Sequence, residues 1–571
     1  MKYSNIPVSQ SIVHLCLIKG IDHVVISPGS RNAPLTIGFT HHPDIKTYSV
    51  VDERSAAFFG LGLAQQLKKP VALVCSSGSA LLNYYPAISE AFYSDIPLVI
   101  ISADRPIERI DIGDGQTIRQ RNVFENHILY SANLNSELVP EEPVTDAKLL
   151  QKQGEAEKHN QQEINKALNT AIVEQGPVHI NVPFYEPLYK TVEEQTVKPI
   201  VVNPQIREET LSESEIEPFL NIWNSAKKKI IIIGVLNPNS IEQKYLDILG
   251  NDPSVLVFTE TTSNTHHPNF FTRIDNLIGS LDEGEFQELQ PDILLTMGGM
   301  IISKKIKAFL RNYKPQQHWH VDPKKAYDTF FCLNRHFKVS PNHFLEQLTT
   351  KLTFVESGYQ SKWLQLRERR DELHKEYIQN IEWCDLKAFE HVLNNIPSGS
   401  MLQLSNSSTI RYVQLFDIDK TLQVFCNRGT SGIDGCTSTA VGAAVGSNLP
   451  TVLITGDLSF FYDSNGLWNN YMPSNFKIIL INNQGGGIFR ILPGNKDSEE
   501  FDTFFETVHD FTAEHLCKMY NIAYFSASTE EKLDSEIGEL FRLNSQPALL
   551  EIHTPRKIND KVLLTYFDFI K

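Results

Sequence analysis

The carboxyl-terminal third of the chain contains the stretch Thr451–Ser459, TVLITGDLS, in which a short apolar run leads into glycine and aspartate. Such a run is typical of a buried strand in an α/β sheet. The strand places the carboxylate of Asp457 at the carboxyl edge of the sheet, where α/β proteins bind their ligands. The stretch therefore predicts an α/β fold with a ligand site at Asp457.

A second apolar run, Phe476–Ile481, is followed by Asn482-Asn483-Gln484-Gly485, and Asn483 lies 26 positions after Asp457. One carboxylate and one amide oxygen suit Mg²⁺, which completes its shell with water and with phosphate oxygens of a ligand. The glycines let backbone amides approach such phosphates. We therefore predict a diphosphate and magnesium site. The alternative is an aspartate that caps a helix beside an ordinary Asn-Gln-Gly turn.

A carboxylate in the amino-terminal third is a second candidate. The strand-like run Ile45–Val51 ends in Asp52-Glu53-Arg54, and the helix-like stretch Ser55–Ala64 follows. Glu53 is therefore predicted to top a strand. Taken alone, such a glutamate is also explained as a solvated charge or as a charge at a helix N-terminus.

The Gly-Asp and Asn-Asn spacing resembles the thiamine-diphosphate motif. Two further segments, Ser27–Thr36 (SPGSRNAPLT) and Val51–Ala57 (VDERSAA), resemble one family in particular, the 2-succinyl-5-enolpyruvyl-6-hydroxy-3-cyclohexene-1-carboxylate synthases of menaquinone biosynthesis. The other matching segments are Ser77–Ser79, Ser102–Pro106, Gln116–Gln120 and Asn427–Gly435. The resemblance covers essentially the whole chain.

The resemblance implies thiamine diphosphate as the cofactor, with Mg²⁺ or, in its place, Mn²⁺. It implies that Asp457, Asn483 and the backbone carbonyl of Gly485 bind the metal. It also implies that Glu53 is catalytic and protonates the pyrimidine ring of the cofactor. The remaining implied cofactor contacts are Leu458, Ser459, Ile433, Ile488 and Phe489. For the three apolar side chains Ile433, Ile488 and Phe489, core packing is the alternative explanation.

The implied reaction is the decarboxylation of 2-oxoglutarate and 1,4-addition of the remaining four-carbon unit to isochorismate. Both substrates are dicarboxylates, so an acidic protein must concentrate cations locally to bind them. Arginine suits this role because its planar fork binds carboxylates bidentately and its charge does not titrate away. The implied substrate-binding residues are Ser30, Arg31, Arg105, Gln116, Lys304, Ser407, Arg411 and Arg428.

These candidates have structural alternatives. A structural salt bridge is the alternative role for Arg31 and for Arg428. For Arg105 the alternative is pairing with a neighbouring carboxylate. Ser407 is also explained as a helix cap. Lys305 stands where family members can carry arginine, and we predict that it is solvated.

The chain is long enough for several hydrophobic cores, with 571 residues of which 41% are hydrophobic and 21% charged. Strand-like and helix-like stretches alternate, and the charged stretch Arg367–Glu372 is predicted to be a solvated helix face. We predict three doubly wound parallel-sheet domains, at residues 1–190, 210–355 and 380–571. The resemblance names them pyrimidine-binding, central and diphosphate-binding.

Composition also bears on partners and location. The net charge of −16 argues against a general nucleic-acid or anionic-membrane surface. The seven cysteines include no Cys-x-x-Cys pair and are predicted to be reduced core thiols. Without a signal-peptide pattern or a long apolar run, we expect a cytoplasmic protein. The resemblance implies a homo-oligomer, with a dimer as the smallest active unit or a tetramer, because domains of different subunits enclose the cofactor.

Two other functions remain open from the residues. One is a different thiamine-diphosphate enzyme, such as a 2-oxoacid decarboxylase or acetolactate synthase, against which the segment Ser27–Arg31 argues. The other is a non-catalytic nucleotide-binding or regulatory protein on the same α/β scaffold. Such a protein has no need of Glu53, Asp457 and Asn483 together.

Overall fold

The computed structural model describes residues 2–137, 146–206, 210–491, 496 and 498–571. These residues form three sheets of five or six strands and one small two-stranded sheet. The chain divides into two compact units. The first comprises Met1–Ile206, Asn427–Leu449 and Ser459–Phe476, and the second comprises Arg207–Cys426, Pro450–Leu458 and Lys477–Lys571.

The first unit is built on a six-stranded parallel sheet. The six strands are β2 (His23–Ile26), β3 (Lys46–Ser49), β4 (Val71–Cys75), β5 (Leu98–Asp104), β6 (Tyr130–Asn133) and β7 (Val178–Pro183). Two short strands, β1 (Tyr3–Ser4) and β8 (Thr191–Val192), form a separate antiparallel pair. The order in the large sheet is β3-β2-β4-β5-β7-β6. Its helices are α1 (Pro7–Ile18), α2 (Ala33–Thr40), α3 (Glu53–Leu67), α4 (Ser79–Asn83), α5 (Tyr85–Ser94) and α6 (Ala147–Glu174). Every residue of β4 and β5 is buried, as expected where helices cover both faces of a parallel sheet.

The second unit contains two sheets, of which the first has five parallel strands in the order β10-β9-β11-β12-β13. These strands are β9 (Lys229–Ile233), β10 (Val255–Thr259), β11 (Ile293–Met297), β12 (Gln317–Val321) and β13 (Arg335–Phe337). The accompanying helices are α7 (Glu213–Ser225), α8 (Gln243–Gly250), α9 (Ile274–Ile278), α10 (Glu283–Leu289), α11 (Lys304–Asn312), α12 (Pro341–Thr350) and α13 (Tyr359–Asn380).

The last sheet has six strands in the order β15-β14-β16-β17-β19-β18. They are β14 (Met401–Leu404), β15 (Gln423–Cys426), β16 (Thr451–Gly456), β17 (Phe476–Asn482), β18 (Ala523–Ala527) and β19 (Ala548–His553). The helices of this part of the chain are α14 (Asp385–Asn395), α15 (Ser408–Val413), α16 (Cys436–Gly446), α17 (Asp457–Tyr462), α18 (Ile488–Ile491), α19 (Glu514–Met519), α20 (Glu530–Arg542) and α21 (Asn559–Phe569). Because β16 and β17 are neighbours, the residues that follow them meet at one edge.

Helix α16 belongs to the first unit and packs closely on α3. A Cβ atom at Gly62 would overlap the backbone carbonyl of Thr439, and one at Gly442 would overlap that of Phe59. Glycine is therefore required at both positions for the two helix backbones to approach each other.

The predicted α/β class with three parallel-sheet domains is confirmed. Each large sheet lies inside one of the predicted ranges 1–190, 210–355 and 380–571. The domain bounds themselves stay a prediction, since residues 427–449 and 459–476 belong to the first compact unit.

Two further predictions concern side chains. The stretch Arg367–Glu372 lies in α13, and Glu368, Arg369 and Glu372 are exposed, as predicted for a solvated face. Arg370 departs from this prediction, because it is only 3% exposed and donates to the carbonyl of Asn276 at 2.9 Å. All seven cysteines are free thiols, as predicted, and six are buried, while Cys332 is partly exposed. Among the helices that the structure describes, none combines the length and apolar character needed to span a membrane.

Candidate active site

Asp457 joins the ends of two neighbouring strands. It is the first residue of α17, directly after β16, and is 3% exposed. One carboxylate oxygen accepts the N–H of Leu458 at 2.7 Å, and the other accepts the N–H of Gly485 at 2.9 Å. The two predicted motifs therefore converge within the second unit. His509, which the sequence did not single out, places Nε2 at 3.3 Å from the second oxygen.

The turn after Asn483 has a conformation that requires glycine. Gly485 has φ +150°, and a Cβ atom there would lie 2.6 Å from the backbone oxygen of Glu506. The same oxygen accepts the N–H of Gly486 at 2.6 Å. The turn is thus held against the chain at Glu506, and its backbone is fixed close to Asp457.

Glu506 also carries a buried ion-pair network. Its carboxylate accepts from Nε of Arg490 at 2.6 Å and from Arg556 at 2.8 Å. Arg490 belongs to α18, whose first two residues are Ile488 and Phe489, both half-buried. The network anchors the helix that presents these two apolar side chains. The buried residue of this helix is Arg490, so Phe489 does not pack fully into the core.

Asn483 is held by an acidic residue that the sequence did not single out. Its Nδ2 donates to Oδ2 of Asp385 at 2.8 Å. Burial raises the pKa of Asp385 to about 6, hydrogen bonds from Thr554 and Asn483 counteract this rise, and the charge of Asp457 adds to it. Asp385 and Asp457 are therefore close enough for their charges to interact, and Asn483 is bonded to Asp385.

The donor set matches an oxygen-liganded metal. In the described part of the chain, no cluster of three or more His, Cys, Asp or Glu side chains has the geometry to hold a metal. A cation at Asp457 must therefore rely on amide and backbone oxygens as well, together with oxygens of a bound ligand. Mg²⁺ accepts such ligands readily.

Glu53 lies in the first unit at the start of α3. Strand β3 ends at Ser49, so Glu53 does not top the strand as predicted but is the first residue of the helix. Asp52 is the N-cap and accepts the N–H of Ser55 at 3.1 Å. Burial raises the pKa of Glu53, its own backbone N–H lowers it, and the charge of Asp52 raises it further. A half-buried carboxyl with a raised pKa is suited to holding a proton.

Arg31 and Arg105 also lie in the first unit and are close enough to affect each other. Arg31 is 5% exposed and pairs with Glu186 at 2.8 Å, so the predicted alternative of a salt bridge is present. Its pKa is lowered by burial and by the charge of Arg105. Asp104 accepts the backbone N–H of Arg105 at 2.8 Å, whereas the guanidinium of Arg105 donates to the carbonyl of Gly115 at 3.3 Å.

Gln116 and Ser30 are both exposed. Gln116 has φ +55°, and its carbonyl accepts the hydroxyl of Ser77 at 2.9 Å. The buried Gln120, which sequence reasoning missed, accepts the N–H of Gly78 at 2.9 Å. These bonds bring the segments around residues 77 and 116 together, as expected for one site.

Arg428, Ile433 and Ser459 share the first unit. The Ser459 hydroxyl donates to the carbonyl of Ile433 at 2.8 Å. Arg428 is half-buried and precedes a turn whose N–H groups at Gly429 and Thr430 donate to the carboxylate of Glu90 at 2.7 and 2.6 Å. Glu90 is a further residue that the sequence did not indicate.

The remaining substrate candidates lie in the second unit. Ser407 is the N-cap of α15 with φ +68°, and its carbonyl accepts from Arg411 at 2.6 Å. Lys304 is exposed at the start of α11. The prediction that Lys305 is solvated is wrong: its Nζ lies 3.1 Å from the ring centroid of Phe567, and burial lowers its pKa to about 8.

Three family models match the chain. Residues 6–132 match the thiamine pyrophosphate enzyme N-terminal TPP binding domain, residues 202–403 match the middle domain of thiamine pyrophosphate, and residues 407–552 match the thiamine pyrophosphate enzyme C-terminal TPP binding domain. With the fold and the Asp457 site, these matches define a thiamine-diphosphate-dependent enzyme.

Curated relatives define the family more closely. The chain is 63% identical to the 2-succinyl-5-enolpyruvyl-6-hydroxy-3-cyclohexene-1-carboxylate synthase of Christiangramia forsetii, over 100% of both chains. It is 54% and 56% identical to the synthases of the same name from Flavobacterium johnsoniae and Flavobacterium psychrophilum, over 99% of each chain. The chain belongs to the family of 2-succinyl-5-enolpyruvyl-6-hydroxy-3-cyclohexene-1-carboxylate synthases.

Proposed function

We propose that this chain decarboxylates 2-oxoglutarate and adds the remaining four-carbon unit to isochorismate in a 1,4 fashion. The products are CO₂ and the compound after which its relatives are named. The observation that carries this proposal is the buried Arg31 beside Arg105 in a chain of net charge −16. Two neighbouring guanidinium groups, of which Arg31 also pairs with Glu186, supply the bidentate donors that a dicarboxylate requires.

The cofactor-binding part of the proposal assigns the metal to Asp457, Asn483 and the carbonyl of Gly485. The metal is Mg²⁺, with Mn²⁺ as its replacement. When bound, thiamine diphosphate supplies the electron sink that allows the carboxylate of a 2-oxoacid to leave as CO₂. The raised pKa of Glu53 supports its role in holding a proton at the pyrimidine ring. The other cofactor contacts in the proposal are Leu458, Ser459, Ile433, Ile488 and Phe489.

The substrate-binding part assigns carboxylate recognition to the cationic residues Arg31, Arg105, Lys304, Arg411 and Arg428. It assigns neutral hydrogen-bonding groups to Ser30, Gln116 and Ser407. The positive φ at Gln116 and Ser407 supports this assignment, because such backbone conformations are costly and concentrate at functional sites.

The proposal includes a homo-oligomer, of which a dimer is the smallest active form and a tetramer the larger alternative. It places the enzyme in the cytoplasm, where isochorismate and 2-oxoglutarate are small-molecule partners. Size-exclusion chromatography with light scattering measures the subunit number directly.

The test of the reaction is an incubation of the purified protein with thiamine diphosphate, Mg²⁺ and 2-oxoglutarate, with and without isochorismate. We expect rapid CO₂ release and a product mass equal to the succinyl adduct only when both substrates are present. CO₂ release that is indifferent to isochorismate would identify a simple 2-oxoacid decarboxylase instead. No cofactor-dependent reaction at all would favour a binding protein.

A further inference from the structure

The two consecutive amides at the end of β17 have different partners. Asn482 is 1% exposed, and its Nδ2 donates to Glu551 at 2.7 Å and to the carbonyl of Phe511 at 2.9 Å. Its Oδ1 accepts the N–H of Gln484 at 3.0 Å. Both ends of this amide are therefore occupied within the protein, and Asn482 shapes the turn.

Asn483 makes a different kind of contact. Its Nδ2 donates to Oδ2 of Asp385, which is itself 2% exposed. A carboxylate only accepts hydrogen bonds, so the NH₂ end of the amide must face Asp385. The two ends of a planar amide point in different directions, and this contact therefore turns Oδ1 of Asn483 away from Asp385.

Both carboxylate oxygens of Asp385 and its backbone N–H are hydrogen-bonded. Its other carboxylate oxygen accepts the hydroxyl of Thr554 at 2.5 Å. Its backbone N–H donates to Oδ1 of Asn559 at 2.8 Å, which fixes the start of α14. With each carboxylate oxygen engaged by one donor, the side chain has little freedom to rotate.

We propose that Asp385 is a positioning residue that selects the orientation of the Asn483 amide and so presents the carbonyl oxygen of Asn483 to a divalent cation. This inference rests on the proposed function, because it takes Asn483 as a metal ligand. Rotation of the amide by half a turn exchanges an acceptor for a donor at the metal position. A cation binds a carbonyl oxygen and is repelled by an NH₂ group, so the acidic partner decides whether Asn483 is able to act as a ligand.

The test measures metal affinity rather than turnover. Apo-protein with saturating thiamine diphosphate is titrated with Mn²⁺, and free Mn²⁺ is followed by electron paramagnetic resonance. We expect Asp385→Ala to weaken Mn²⁺ binding about 10- to 100-fold, the range found for residues that orient metal ligands. Asp385→Asn keeps an oxygen for Asn483 while its NH₂ faces the Thr554 hydroxyl, and we expect Mn²⁺ affinity within about threefold of the wild type.

Asp104→Ala is the matched control. Asp104 is also a buried aspartate that accepts an asparagine Nδ2 at 2.8 Å, from Asn181, but it belongs to the first unit and Asn483 belongs to the second. We expect this variant to lose thermal stability while keeping its Mn²⁺ affinity within about threefold of the wild type. If Asp385→Ala does not fold, Asp385→Ser provides the same test, because its hydroxyl is too short to reach Asn483.

Two results would overturn the inference. One is wild-type Mn²⁺ affinity in the folded Asp385→Ala or Asp385→Ser protein. The other is an equal loss in Asp385→Asn and Asp385→Ala, which would mean that the charge of Asp385 and not the amide orientation is what matters. Absence of cofactor-dependent Mn²⁺ binding in the wild type would instead contradict the proposed function together with the inference.

Discussion

The carboxylate of Glu90 accepts the backbone N–H of Gly429 at 2.7 Å, although 339 positions separate the two residues. The same carboxylate accepts the N–H of Thr430 at 2.6 Å, the Thr430 hydroxyl at 2.9 Å and the Ser94 hydroxyl at 2.7 Å. Glu90 is 1% exposed. A buried helix residue thus fixes the turn that follows Arg428.

Replacement of Glu90 by glutamine is expected to disturb this turn. The new NH₂ group would face backbone N–H donors, and an unsatisfied buried donor costs about 1–3 kcal/mol. We expect a lower melting temperature and about a tenfold higher KM for the substrate that Arg428 binds, with thiamine diphosphate affinity within about threefold of the wild type. Glu163→Gln, at a partly buried glutamate bonded to Tyr130, is the control. An unchanged KM in a stable Glu90→Gln protein would argue against this role.

Replacement of Glu53 by glutamine is expected to remove activity while the fold is kept. Glutamine has nearly the same shape but is unable to give a proton to the cofactor ring. The measurements are CO₂ release and the rate of hydrogen–deuterium exchange at the thiazolium carbon of the bound cofactor, read by NMR. Glu163→Gln, at a partly buried glutamate that accepts the hydroxyl of Tyr130 at 2.8 Å, is the matched control. Near-normal exchange in Glu53→Gln would refute the assignment of Glu53.

Arg31→Lys tests recognition of the substrate carboxylates. Lysine keeps the charge but loses the planar fork, and a hydrogen bond to a charged group contributes about 1.5–3 kcal/mol. We therefore expect kcat/KM to fall about 10- to 100-fold. Arg119→Lys is the control, because the side chain of Arg119 is 84% exposed and pairs with Asp111. Equal effects of the two substitutions would remove Arg31 from the proposed site.

We expect the stability of the protein to depend on pH because of the buried Asp463. It accepts the N–H and the hydroxyl of Ser438 near the start of α16, at 2.7 and 2.8 Å, and burial raises its pKa to about 7. The folded state therefore keeps a proton that the unfolded state releases from about pH 4 upward. The stabilising contribution of this group is complete below about pH 4 and is lost as the pH rises to about 7. Over this range the free energy of unfolding falls by at most about 4 kcal/mol.

Urea unfolding between pH 4 and 8 measures this effect. We expect the stability of the wild type relative to Asp463→Asn to fall as the pH rises across this range. Asp44→Asn, at an aspartate whose side chain is 75% exposed, serves as the control. Parallel pH profiles for the wild type and Asp463→Asn would show that Asp463 does not titrate as described.

Much of the fold was predictable because its signals are local. Runs such as Thr451–Gly456 and Phe476–Asn482 are mostly apolar and almost completely buried, and a residue that follows a strand lies at the edge where that strand ends. The positions of Asp457 and Asn483 therefore followed from the sequence. The start of α3 did not follow from the sequence. Asp52 is the N-cap of this helix, so the strand ends earlier than the apolar pattern indicates.

The sequence by itself determined the fold class, the pair of strand ends that carry Asp457 and Asn483, and the family to which the chain is similar. Only the tertiary structure decided that Lys305 is covered by Phe567, that Asn482 bonds to Glu551 and that Asn483 bonds to Asp385. Adjacent asparagines are chemically identical in a sequence. Their different roles arise because partners distant in the chain reach them only after folding, and a buried amide must satisfy its hydrogen bonds with whatever those partners offer.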